Sequence, residues 1–158
     1  KNLGKDLDVH IDQENNPLER DTEKLIGKVR EYRYEGRVNF LHCISVAAQD
    51  KSVRSEIIKG IKDVGANVIV CPTAAIAMKQ HDDKLSPVHN SIAPVPEMIE
   101  AGINVSFGFD NISDVYQPEI SGDLWDEIKM LSSACRYYEP AKLAEIATIN
   151  GYKTFKLI

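Results

Sequence analysis

NVIVC, Asn67–Cys71, is apolar in all but its first residue. A strand with one wet face alternates apolar and polar residues, whereas a strand covered on both faces does not. This run therefore predicts a strand inside a parallel sheet. Parallel neighbours need a crossover, usually a helix. The preceding stretch supplies one: SVRSEIIKGIKDV, Ser52–Val64, puts Val53, Ile57, Ile58, Ile61 and Val64 on one helical face, and Gly65 closes it. Further back, VNFLHC (Val38–Cys43) reads as another strand. Asp21–Tyr34 reads as a helix through Leu25, Ile26 and Val29, with Asp21 as its N-cap and Gly36 as its stop. LDVHID (Leu7–Asp12) alternates cleanly, with Leu7, Val9 and Ile11 on one face and Asp8, His10 and Asp12 on the other.

Downstream, a long loop is expected from Pro72 to Pro94, then a short helix over Val95–Ala101 and a strand over Ile103–Gly108 (INVSFG). A helix follows over Asp123–Tyr137, and Pro140–Ile158 reads as helical with a break near Gly151. The order is βαβαβαβα. It predicts an α/β fold of four parallel βα repeats, forming a single domain over residues 1–158.

The 158 residues are enough for one domain with a core. Nineteen basic residues against 24 acidic ones, a net charge of −5, with no basic cluster, argue against nucleic acid and membrane surfaces as partners. The longest uncharged run, Ala66–Met78, is too short to span a bilayer. No signal peptide is visible. Cys43, Cys71 and Cys135 are odd in number and form no metal-binding spacing, so they read as free thiols in a reducing, cytoplasmic setting. The sequence starts at Lys1 and not at a methionine, and the expectation is that further residues precede it.

In parallel α/β folds, ligands gather at the carboxyl ends of the strands. The first strand ends in His10-Ile11-Asp12-Gln13 and the second in His42-Cys43. On the fourth, Asn104, Ser106, Gly108 and Asp110 share the polar face. His10, His42 and Asp110 thus stand at three strand ends. Imidazole and carboxylate suit a Zn²⁺ or Fe²⁺ site and suit acid–base work. They also suit the plain meeting of a strand with water, and spacing alone does not choose. His81 and His89, in a polar stretch, read as solvated loop residues, with His89 able to line a pocket mouth. Glycine-rich phosphate loops and the GxSxG elbow are absent.

DVHIDQ, NFLHC, CPT and EMIEAGINVSFGFDNISDVY, in that order, resemble the amidohydrolase superfamily, in its cytosine deaminase-like branch. The phrase MIEAGINVSFGFDN is the most specific part. The resemblance covers most of the chain but only the C-terminal half of a (β/α)8 barrel, strands five to eight. It implies a half TIM-type barrel and a metal-dependent hydrolase, of deaminase type, acting on C–N bonds of a cyclic amidine or amide. It also implies a divalent metal, Zn or Fe, held by His10 and Asp110. His42 would orient the nucleophile, Asp110 would also shuttle a proton, and Gln13 and Tyr116 would contact a planar nitrogen ring.

The ligand set is incomplete, because the family's strand-one HxH pair is not in this chain. Gln13 stands where the branch has a glutamate, and an amide cannot act as a carboxylic acid does. Phe109 stands where a histidine often precedes the strand-eight aspartate.

Four βα units cannot close an eight-stranded barrel, so two sheet edges and part of the lumen should lie open. Val38 and Phe40 alternate in step with His42 and are expected on that open face. The expectation is a homodimer, or pairing with a missing N-terminal half, with catalysis weak or absent in this chain alone. The alternative is a non-catalytic half-barrel fragment or degenerate relative that associates through its sheet edges. A third reading, an unrelated doubly wound binding domain, would require a reordered sheet.

Overall fold

The computed structural model describes residues 5–78, 83 and 92–158. His81 and His89 lie outside the described residues. The elements are β1 (Leu7–Ile11), α1 (Asp21–Tyr32), β2 (Val38–His42), α2 (Ile44–Ala47), α3 (Lys51–Asp63) and β3 (Asn67–Val70). They continue with α4 (Pro72–Ala77), α5 (Val95–Glu100), β4 (Val105–Phe107), α6 (Leu124–Cys135), α7 (Pro140–Ala147) and α8 (Ile149–Thr154). Four parallel strands pair in the order β1-β2-β3-β4. The order never reverses, so no doubly wound switch point exists among them. This is the arrangement of half a (β/α)8 barrel.

One buried cluster holds Ile26 and Val29 of α1, Ile57, Ile58 and Ile61 of α3, Met98 of α5, Leu131 of α6 and Ile146 of α7. Val38, Phe40, Val68, Val70 and Val105 from the strands complete it. Val38 and Phe40 are therefore in the core, with Phe40 wholly buried, and not on the open lumen. The expected alternation with His42 fails because His42 has φ +73°, which turns its ring to the other face at the strand end.

The opposite face of the sheet is polar at its base. Asn104 Nδ2 donates to Asn67 Oδ1 (3.1 Å), Asn67 Nδ2 to Asn39 Oδ1 (2.8 Å), and Asn39 Nδ2 to Asp8 Oδ1 (2.6 Å). The strand register sets this ladder: Asp8 pairs with Asn39, and Asn39 with Asn67. Every amide donates toward β1, and the series ends on a carboxylate, which can only accept. Asn67→Ala would strand the buried Asn39 oxygen without its donor. The expected cost is about 1–3 kcal/mol, read as a lowered urea midpoint; an unchanged midpoint would remove the ladder from the account of stability.

Four sequence expectations are corrected. Pro72 begins a helix and not a loop; its ring fits the first helical position, where no N–H is needed. The N-cap of α1 is Arg20, not Asp21, and the helix ends at Tyr32, with Arg33 in the left-handed region, before Gly36. The break near the C-terminus falls at Thr148, and Gly151 lies within α8. The four-residue helix α2 directly after β2 is an addition to the expected elements.

β1 and β4 form the sheet edges. Leu7 N donates to the Arg37 carbonyl, and Ile11 O accepts from Cys43 N, so the odd residues of β1 face β2. The alternation of a parallel ladder leaves the amides and carbonyls of Asp8 and His10 on the free edge. On β4, Asn150 Nδ2 donates to the Val105 carbonyl (2.9 Å), so α8 covers part of that edge. Among the described residues, no helix is long and apolar enough to cross a membrane.

Candidate metal centre

His10 ends the lumen-facing alternation of β1, and its side chain meets His42 from the end of β2. His10 Nδ1 and His42 Nε2 lie 3.0 Å apart, with ring centroids separated by 5.0 Å and planes tilted by 57°. Asp110, just beyond β4, brings Oδ2 to 3.8 Å from His42 Nε2. One ligand atom from each of the three residues lies within 4.8 Å of the others. The structure thus brings together His10, His42 and Asp110.

Backbone shape does this work. Asp12, His42, Cys43 and Asp110 all take left-handed φ, +50°, +73°, +52° and +66°. Such conformations cost a non-glycine residue about 1–3 kcal/mol and gather where side chains must be aimed. At Gly108 a Cβ would come within 3.1 Å of Cys71 Sγ and 3.2 Å of Ile69 Cγ2, so any other residue would have to push these side chains aside by a few tenths of an ångström just before Asp110.

His42 is buried, while His10 and Asp110 are exposed. Burial lowers the His42 pKa below its ordinary value. Asp110 opposes that shift, and His10 adds to it. His42 is accordingly a neutral imidazole with a lone pair to offer. Among the described residues its buried Nδ1 has no hydrogen-bond partner. Two imidazoles and a carboxylate at this separation are a donor set that fits a divalent ion of the Zn²⁺ or Fe²⁺ type.

The other two expected residues are both exposed. Gln13 follows the turn at Asp12 and is exposed. Tyr116 is exposed too, in a loop where its amide and that of Gln117 both donate to Asp114 Oδ1. Two groups escaped the sequence reading. Asp12 is buried and bonded to α1 rather than facing solvent beside His10. Glu127 of α6 is buried and accepts the Thr73 amide (3.0 Å) at the start of α4, and burial raises its pKa. Neither contact has a sequence signature, because each joins residues distant in the chain.

No protein-family model matches the sequence. A protein of Haemophilus influenzae with no assigned function is 39% identical over 99 residues, which are 63% of this chain and 36% of that protein. A pterin deaminase of Rhizobium rhizogenes is 23% identical over 133 residues, 84% of this chain and 30% of that one. In fold, the 5-methylcytosine deaminase of Klebsiella pneumoniae, solved with 5-fluorocytosine, superposes with a TM-score of 0.86 at 26% identity. That match covers 98% of this chain and 38% of the deaminase. The chain thus spans 30–38% of the length of these relatives. In fold it matches half of a barrel of the amidohydrolase superfamily, in its cytosine deaminase-like branch, and in sequence it is similar to part of a pterin deaminase.

Proposed function

We propose that this chain carries half of a metal-dependent deaminase that hydrolyses a C–N bond in a small cyclic amidine or amide. The observation that supports it most is the convergence of His10, His42 and Asp110 at the carboxyl ends of three strands. His10 and Asp110 would hold the ion, which when bound lowers the pKa of water. His42, kept neutral by burial, would orient the nucleophile through Nε2. Asp110 Oδ2, partly open to the lumen, would take up the proton and return it to the leaving nitrogen. Gln13 and Tyr116 would contact the ring of a planar substrate.

The rest of the active site would come from strands packed against the free edge of β1, either an upstream half of the same barrel or a second copy of this chain. The amides and carbonyls of Asp8 and His10, turned away from β2, support such an edge. Either partner would close the barrel by pairing along the β4 edge as well, where Asn150 Nδ2 now bonds the Val105 carbonyl and would have to give way. The three unpaired cysteines agree with a cytoplasmic setting. Gln13, in place of a carboxylic acid, favours the second reading, a non-catalytic half barrel.

Cobalt(II) titration of the purified chain, followed by visible absorption, is expected to saturate stoichiometrically. Ammonia release from cytosine-type rings is expected to be slow for this chain alone and to rise when an upstream half is co-expressed. Stoichiometric ion with no ammonia release in either case would leave the non-catalytic reading standing. No ion in either case would remove the metal centre.

A further inference from the structure

Asp12 touches neither Nδ1 nor Nε2 of either histidine, yet it joins the two segments that carry them. Its carboxylate is buried and accepts from three donors of α1. These are the Asp21 amide (2.9 Å, to Oδ1), the Thr22 amide (3.1 Å, to Oδ2) and the Thr22 hydroxyl (2.6 Å, to Oδ2). Its carbonyl accepts from the amides of Ile44 (2.7 Å) and Ser45 (3.3 Å), the residues just after His42-Cys43. Ile44, Ser45 and Thr22 are all fully or nearly fully buried, so none of these donors has water as a substitute.

The β1–β2 ladder ends at the Ile11–His42 pair. Past that point β2 turns through two left-handed residues, and the regular ladder cannot continue. The Asp12 carbonyl receives the amides that emerge from the turn. It faces them only because Asp12 itself sits at φ +50°, a conformation its side chain locks by bonding to the first turn of α1. Asp and Asn tolerate this region better than other non-glycine residues.

We infer that Asp12 is a positioning residue that holds His10 and His42 together by tying the end of β1 to α1 through its side chain and to the turn after β2 through its carbonyl. Its relevance to chemistry rests on the proposed metal centre, but the pairing it enforces exists without an ion. Helix α1 thereby becomes part of the site's support, although it contributes no group to the centre.

The test is a nuclear Overhauser measurement between the ring protons of His10 and His42 in the metal-free chain. Wild type, Asp12→Asn and Thr22→Val are expected to show the cross-peak. Asn keeps an acceptor oxygen and the backbone tolerance. Thr22→Val removes a single donor, lowers stability and leaves the Asp12 carbonyl aimed. Asp12→Ala, with a dispersed amide spectrum proving it folded, is expected to lose most of the cross-peak intensity, which falls with the sixth power of distance. If Asp12→Ala does not fold, Asp12→Gly accepts the same φ without strain and carries the same expectation. A folded Ala or Gly variant with the wild-type cross-peak would overturn the inference, as would a wild type that lacks it. Failure to bind cobalt(II) with the cross-peak intact would strike the metal-centre reading and leave this one in place.

Discussion

His10→Ala is expected to weaken cobalt(II) or zinc binding by more than about 100-fold while leaving the fold intact. Removing a group that only orients a metal ligand already costs about 10–100-fold in affinity, and His10 is proposed as a ligand itself. Without it Asp110 is the one proposed ligand left, with His42 beside it, against the three or four donors that a zinc site needs. The substitution separates binding from stability because His10 is exposed, and replacements at exposed positions generally stay within about 0.5 kcal/mol. His42→Ala would not separate them, since that ring is buried and its loss would leave a void. Competition with a chromogenic chelator gives the affinity, and thermal unfolding followed by circular dichroism gives the stability. Affinity within a few-fold of wild type would mean that His10 is not a ligand and that the ion, if bound, sits elsewhere.

The fold was legible where side-chain pattern follows the backbone. NVIVC gave away a doubly covered strand, and Ile57, Ile58 and Ile61 fixed the face of α3 that meets it. Gly65, with φ +67°, ends that helix as its residue type predicts. The signal at Pro72 was present but read as a loop, although proline is as much at home in a first helical turn. Helix α2, four residues long, is shorter than the period needed to reveal it. The site was legible as three residues at strand ends, but not as geometry. Nothing in VNFLHC says that His42 turns over at its strand end. Nothing in the nine residues between Asp12 and Thr22 says that the first bonds the opening turn of the helix that holds the other. Both depend on tertiary bonds and left-handed backbone, which one sequence does not encode as a pattern.

That turn at His42 leads to the second large effect. Phe40→Ala is expected to destabilise the chain by about 3–5 kcal/mol, the range for deleting a fully buried aromatic ring. Phe40 is wholly buried among residues of the strands and the covering helices. A domain of this kind has about 5–15 kcal/mol in all, so the variant would lose a large share and unfold at much lower urea. Leu41→Ala is the matched control. Leu41 lies beside His10 and Ile69 in the register, on the same face as His10, and is only partly buried. Its truncation should cost clearly less, because an isopropyl group lost at an open surface leaves no enclosed cavity. Were the strand to alternate without interruption through His42, the ranking would invert: Leu41 would be packed under the helices and Phe40 would stand in the open lumen. The two urea midpoints therefore report which way β2 faces. They bear on the metal centre as well, since only with Phe40 in the core does the left-handed turn at His42 become necessary to bring its ring to His10.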